Sequence, residues 1–94
     1  MPSNMRAASV CPRERVPLDR SLVIGRAPAS ELRLEDPSVS RTHAEIELEN
    51  AAVHIQDAGS RYGTFVDGQR ISQVEIADGT VIMVGSTQLV FRSG

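Results

Sequence analysis

The segment Ala44-Glu45-Ile46-Glu47-Leu48-Glu49 decides the fold of this chain. Its apolar residues Ala44, Ile46 and Leu48 alternate with three glutamates. In an extended backbone that pattern puts the apolar side chains on one face and the charges on the other, whereas a helix would scatter both around its axis. The segment is therefore a strand with one buried and one wet face. Asn50 follows as a turn, and Val53 and Ile55 then alternate with His54 and Gln56, so the two runs read as a hairpin.

The same alternation of short apolar runs and turn residues extends in both directions. Downstream, Asp67-Gly68 separates Thr64–Val66 from Gln69–Ile71. Asp-Gly between two apolar runs predicts a two-residue hairpin, because a type I′ turn needs positive φ at both positions. Asp78-Gly79 predicts another turn before a strand over Thr80–Val84, and Gly85-Ser86 turns the chain into Gln88–Arg92. Upstream, Leu22, Val23 and Ile24 form a strand that stops at Gly25. Nothing from Arg20 onward supports a helix of useful length. The expectation is an all-β protein, a two-sheet antiparallel β-sandwich. Ala7–Val10 and Arg15–Leu18 read as edge strands, because Pro12 and Pro17 confine them to edges or ends. Residues 1–14 are then an N-terminal tail carrying one edge strand, loose over Met1–Met5, and residues 15–94 the domain proper.

Bulk properties exclude several classes of function. A chain of 94 residues makes one domain and leaves little room for a deep enclosed active site. A net charge of -2 argues against a general nucleic-acid binder, which carries a basic excess. All ten basic residues are arginine, which fits either a compositional bias or a need for forked donors. With one cysteine, Cys11, no internal disulfide or Cys-based zinc site forms, and His43 and His54 alone define no metal site. Apolar runs as short as Val81–Val84 cannot cross a membrane as a helix, and Met1–Val10 lacks a signal-peptide core. The composition points to a cytoplasmic monomer without cofactor or metal, touching neither membrane nor nucleic acid.

Polar residues gather in three loops between the strands. The first begins Gly25-Arg26-Ala27-Pro28-Ala29-Ser30. The second is Asp36-Pro37-Ser38-Val39-Ser40-Arg41-Thr42-His43, and the third Asp57-Ala58-Gly59-Ser60-Arg61-Tyr62-Gly63-Thr64. Loops of this composition can present backbone amides, hydroxyls and guanidinium forks together, which are the donors a phosphate dianion needs. Arg26, Arg41 and Arg61 supply one guanidinium per loop. Taken singly, an arginine is usually a solvated surface group, and Ser40 is usually a turn residue.

The three blocks in this order and spacing make the chain resemble a forkhead-associated (FHA) domain, a phosphothreonine-binding β-sandwich. The resemblance rests on Ile24-Gly25-Arg26, on Asp36 through Ala44, and on Gly63-Thr64-Phe65-Val66-Asp67-Gly68, and it covers about residues 15–92. It implies that Arg26 and Ser40 hold the phosphate of a phosphothreonine protein or peptide, and that Arg41 adds a donor. It makes His43 a brace behind the loops, and it gives Gly25, Gly63 and Thr64 the shaping of the site. The chain departs from the family at Arg61 and Tyr62, where Thr or Ser followed by Asn is usual. Arg61 can still reach phosphate, but a tyrosine cannot copy the carboxamide fork that grips a bound peptide backbone.

Two other classes of function stand beside this one. Ser40, His43 and Asp57 include the residue types of a hydrolase triad, but no nucleophile-elbow sequence surrounds Ser40. A scaffold of the same fold that binds a partner, or itself, without phosphate is kept open by Tyr62.

Overall fold

A computed structural model describes residues 6–10, 14–17, 21–50 and 52–93. Eleven strands are present among them: β1 (Arg6–Val10), β2 (Glu14–Pro17), β3 (Ser21–Gly25), β4 (Leu32–Arg33), β5 (Ala44–Glu49), β6 (Ala52–Asp57), β7 (Thr64–Val66), β8 (Gln69–Ile71), β9 (Gln73–Ile76), β10 (Val81–Val84) and β11 (Thr87–Ser93). They form two sheets, ordered β2-β1-β11-β10-β7-β8 and β4-β3-β5-β6-β9. The assigned strand pairings are antiparallel apart from β3 with the two-residue β4, which run parallel. The all-β, two-sheet sandwich expected from the alternation is the architecture found.

The core lies between the sheets and is filled by the inward residues of each strand. Leu22 and Ile24 of β3 lie opposite Ile46 and Ala44 of β5, and Ile46 lies opposite Ile55 of β6. From the other sheet, Ile82 of β10 stands between Leu89 of β11 and Val66 of β7. All of these are buried, with Phe91 the largest fully enclosed side chain. Each such aliphatic side chain withdrawn from water contributes about 1.5–3 kcal/mol. The outward glutamates Glu45, Glu47 and Glu49 are half-buried or exposed, as their alternation requires.

The hairpins follow their turn residues. Asn50 has φ 52° between β5 and β6, and Asp67 and Gly68 have φ 49° and 86°, the two positive values of a type I′ turn. Two short strands are additional to those read from the sequence: β4, which is only two residues long, and β9, where Val74 and Ile76 alternate with Gln73 and Glu75. The reading of Ala7–Val10 as an edge strand is corrected. β1 is interior, bonded to β11 along one side and to β2 along the other. The edge is β2, where Pro17 ends the strand, a position at which a missing amide costs no interior ladder bond. The sheet thus takes in residues ahead of position 15. The expectation of a loose Met1–Met5 lies outside the described residues.

Strand directions bring the ends of β3, β6 and β10 to the same end of the sandwich as the starts of β5, β7 and β11. All three polar loops therefore leave from one end, and the Asp67-Gly68 turn lies at the other. Gly68→Ala is expected to lower the unfolding free energy by roughly 1–2 kcal/mol through backbone strain alone, since no atom lies within 4 Å of where its Cβ would stand. Urea denaturation checks the loss, and ligand affinity should be unchanged.

Candidate functional site

The first and second loops are zipped together by backbone hydrogen bonds. The Arg26 amide donates to the Ser40 carbonyl at 3.0 Å, and the Ala27 amide to the Arg41 carbonyl at 3.1 Å. The His43 amide donates to Ile24 at 2.8 Å. This approach demands a glycine at position 25, because a Cβ there would overlap the Arg41 carbonyl. The Arg26 side chain crosses the gap as well, its Nε donating to the Val39 carbonyl at 2.7 Å. Arg33 Nε donates to the carbonyl of Arg26 at 3.1 Å and holds the first loop from its other side.

His43 joins the second loop to the third. Its ring is fully buried. Nδ1 accepts from the Ser40 amide at 3.1 Å, so the ring hydrogen sits on Nε2 and is donated to the Gly63 carbonyl, 2.8 Å away. The Ser40 hydroxyl adds a second tie by accepting from the Arg61 amide at 3.0 Å. Its own hydrogen stays available for another acceptor.

Two aspartates organise the loop backbones. Asp57 Oδ1 accepts from the hydroxyls of Ser60 and Thr64, and Oδ2 accepts from the amides of Gly59 and Ser60. Burial alone would raise its pKa, but these hydrogen bonds outweigh it and hold the carboxyl below its ordinary 3.8. Asp36 plays the same part in the second loop. Its carboxylate accepts from the hydroxyl and amide of Ser38, and reaches across to the Thr87 hydroxyl and the Ser86 amide in the β10–β11 turn. Those bonds, the Ser38 hydroxyl foremost, lower its pKa from 3.8 to about 2.

The donors converge on a pocket of about 110 Å³ lined by Arg26, Pro37, Ser38, Val39, Ser40, Arg61 and Tyr62. No carboxylate lines it. Two larger hollows lie elsewhere. One of about 480 Å³, at Ser21, Glu47, Leu48 and Glu49, presents carboxylates that repel an anion, and one of about 270 Å³, at Phe65, Gly68, Val81 and Met83, is apolar. Of these three hollows the smallest is the one whose lining has the donors an anion needs. Among the described residues no group of three His, Cys, Asp or Glu side chains is placed to hold a metal ion.

Of the residues singled out in the sequence, Arg26, Ser40, Arg61 and Tyr62 share this pocket. Arg41 does not line it: its carbonyl joins the loops and its side chain is exposed. Gly25, His43, Gly63 and Thr64 lie in the framework beneath. Gly63 has φ 91° and packs under the Arg70 guanidinium. Thr64 is buried with its hydroxyl on Asp57. The Ser40, His43 and Asp57 set makes no relay, because His43 bonds the Ser40 amide and not its hydroxyl, while Asp57 is occupied by Ser60 and Thr64. Asp36 is the supporting residue that sequence reasoning passed over. Asp-Pro-Ser marks its local turn, but nothing local marks partners 50 and 51 residues away.

At one end of the β-sandwich the loops are thus locked around a pocket lined by guanidinia and hydroxyls, a donor set suited to an anion. Comparison with known proteins gives the family. The FHA domain family matches residues 22–85, and the chain belongs to that family. It is 38% identical over 78 residues to the glycogen accumulation regulator GarA of Mycobacterium tuberculosis, covering 82% of this chain and 48% of GarA. It is 35% identical to the oxoglutarate dehydrogenase inhibitor of Corynebacterium diphtheriae, covering 82% of this chain and 54% of the inhibitor. The chain thus spans about half the length of these curated relatives. A solved structure concerned with phosphothreonine-dependent FHA domain interactions superposes with a TM-score of 0.89 at 28% identity, covering 94% of this chain and 95% of the other.

His43→Ala is expected to cost about 1–3 kcal/mol for each buried partner left unsatisfied, read as a lower urea midpoint. Asp36 predicts an acid response. Its pKa is depressed, so the stabilisation is complete above the ordinary 3.8 and is lost as pH falls from there through about 2. Protection of the Ser86 amide from exchange, taken relative to the intrinsic rate at each pH, should fall over that range in the parent and show no such step in Asp36→Asn.

Proposed function

We propose that this domain is a phosphothreonine-dependent protein-binding module, an adaptor that docks on a partner marked by a Ser/Thr kinase and catalyses nothing itself. The observation that carries this reading is the convergence of Arg26, Arg61 and the Ser40 hydroxyl on one small pocket with no acidic lining. A phosphate monoester brings about two negative charges and three acceptor oxygens. Two guanidinia match the charge, and the Ser40 hydrogen, unused within the loops, supplies a further donor. Arg41, exposed one residue beyond Ser40, adds to the field that draws the anion in.

The relatives support the same reading. A structural neighbour is concerned with phosphothreonine-dependent FHA domain interactions, and EmbR of Mycobacterium tuberculosis, a second neighbour with a TM-score of 0.89, is in complex with a low affinity phosphopeptide. The curated relatives are a regulator and an inhibitor, roles that docking alone can fulfil.

Titration of the parent with matched phosphorylated and plain threonine peptides tests the proposal. Only the phosphorylated peptide should bind, and Arg26→Ala should weaken it ten-fold or more, since a charge-assisted hydrogen bond is worth about 1.5–3 kcal/mol. Equal binding of both peptides would mean a scaffold that kept the fold and lost phosphate recognition.

A further inference from the structure

Tyr62 is out of place as a hydrophobic residue. The residue is 54% exposed, and with Val81 it is one of two large hydrophobic residues that stand exposed among the described residues. The exposure is built in, because both neighbours of Tyr62 are pinned. The Arg61 amide is bonded to the Ser40 hydroxyl, the Gly63 amide to the Ser60 hydroxyl, and the Gly63 carbonyl to His43. The backbone therefore has no freedom to turn the ring inward. What the ring does touch is a cation: the Arg61 guanidinium carbon lies 5.6 Å from its centroid. That is within the range in which a cation is drawn to an aromatic face. Both side chains line the pocket that also holds Arg26 and Ser40. The only ion pair among the described residues is Arg33 with Glu35, so the ring is the neighbour that orients Arg61.

We infer that Tyr62 is a positioning residue: its ring holds the Arg61 guanidinium toward the phosphate, so the third loop reads the ligand's charge in place of its backbone. A freely rotating arginine on an exposed loop loses several rotatable bonds' worth of freedom when it meets an anion. One already laid against a ring has given up part of that freedom beforehand. The exchange has a cost, because a phenol ring offers no carboxamide to pair with a peptide amide and carbonyl. The ligand class that follows is a phosphorylated segment held chiefly by its phosphate, with little demand on the backbone around it. This inference rests on the phosphothreonine reading above, and the test separates the two.

The experiment is a double-mutant cycle on the 94-residue chain, with a phosphothreonine peptide titrated by calorimetry at two salt concentrations. Tyr62→Phe, which keeps the ring, should bind like the parent. Tyr62→Ala should weaken binding about two- to five-fold, the worth of an exposed cation–π contact, and most at low salt. In the Arg61→Ala background the same substitution should cost nothing further. Replacing the ligand amides beside the phosphothreonine by esters, one at a time, should leave parent affinity unchanged. A full additive cost of Tyr62→Ala in the Arg61→Ala background would make Tyr62 a direct ligand contact and overturn the inference. So would a Tyr62→Phe variant as weak as Tyr62→Ala, or a ten-fold loss on ester replacement. Each of these leaves the phosphothreonine reading standing; equal binding of phosphorylated and plain peptides overturns both.

Discussion

Behind the pocket, between the two loops that carry most of its donors, one imidazole is shut away from water. The ring of His43 is flat and rigid, with one nitrogen to accept and one to donate at opposite ends. It takes the amide of Ser40 on one side and gives its hydrogen to the carbonyl of Gly63 on the other. An aliphatic side chain of equal bulk would fill the space but leave two buried backbone groups without partners, each costing about 1–3 kcal/mol. The residues that this bridge sets are the pocket's own: Ser40 itself, and Arg61 and Tyr62 just ahead of Gly63. If the second and third loops were not held at this separation, Arg26 and Arg61 would not face the same small volume.

Around that bridge, Asp36 and Asp57 do the work that a regular sheet does elsewhere. Each carboxylate collects four hydrogen bonds from hydroxyls and amides, and so replaces the ladder partners that irregular backbone lacks. Thr64 links this network to the core, buried on the sheet side with its hydroxyl on Asp57. No buried side-chain nitrogen or oxygen among the described residues is left without a partner. Loops satisfied in this way are ordered before a ligand arrives, and binding need not supply the entropy of ordering them.

Much of this was legible in the sequence, for reasons specific to each segment. The β5–β6 hairpin was plain because one face of β5 is apolar and the other acidic. The Asp67-Gly68 turn was plain because few residue pairs accept two positive φ values. β4 escaped notice because two residues show no period, and β1 was read as an edge strand because Arg6-Ala7-Ala8-Ser9-Val10 has only one β-branched residue and stands near two prolines. Its interior position is decided by β11, whose free side it covers at long range. The pocket arginines were legible as residue types, but their division was not. Arg26 and Arg61 line the cavity and Arg41 does not, which depends on loop closure that spacing cannot express. The tie from Asp36 to Ser86 and Thr87 joins parts of the chain about half its length apart, and no local pattern encodes it.

The cations around the pocket are all guanidinia, and beside them stands a serine hydroxyl. A guanidinium is planar and sets its N–H donors in a fixed fork, so two of them meet two oxygens of one anion in a single plane, where an ammonium acts as a point charge. Exchanging Arg26 or Arg61 for lysine would therefore keep the charge beside the pocket and lose the direction of its donors.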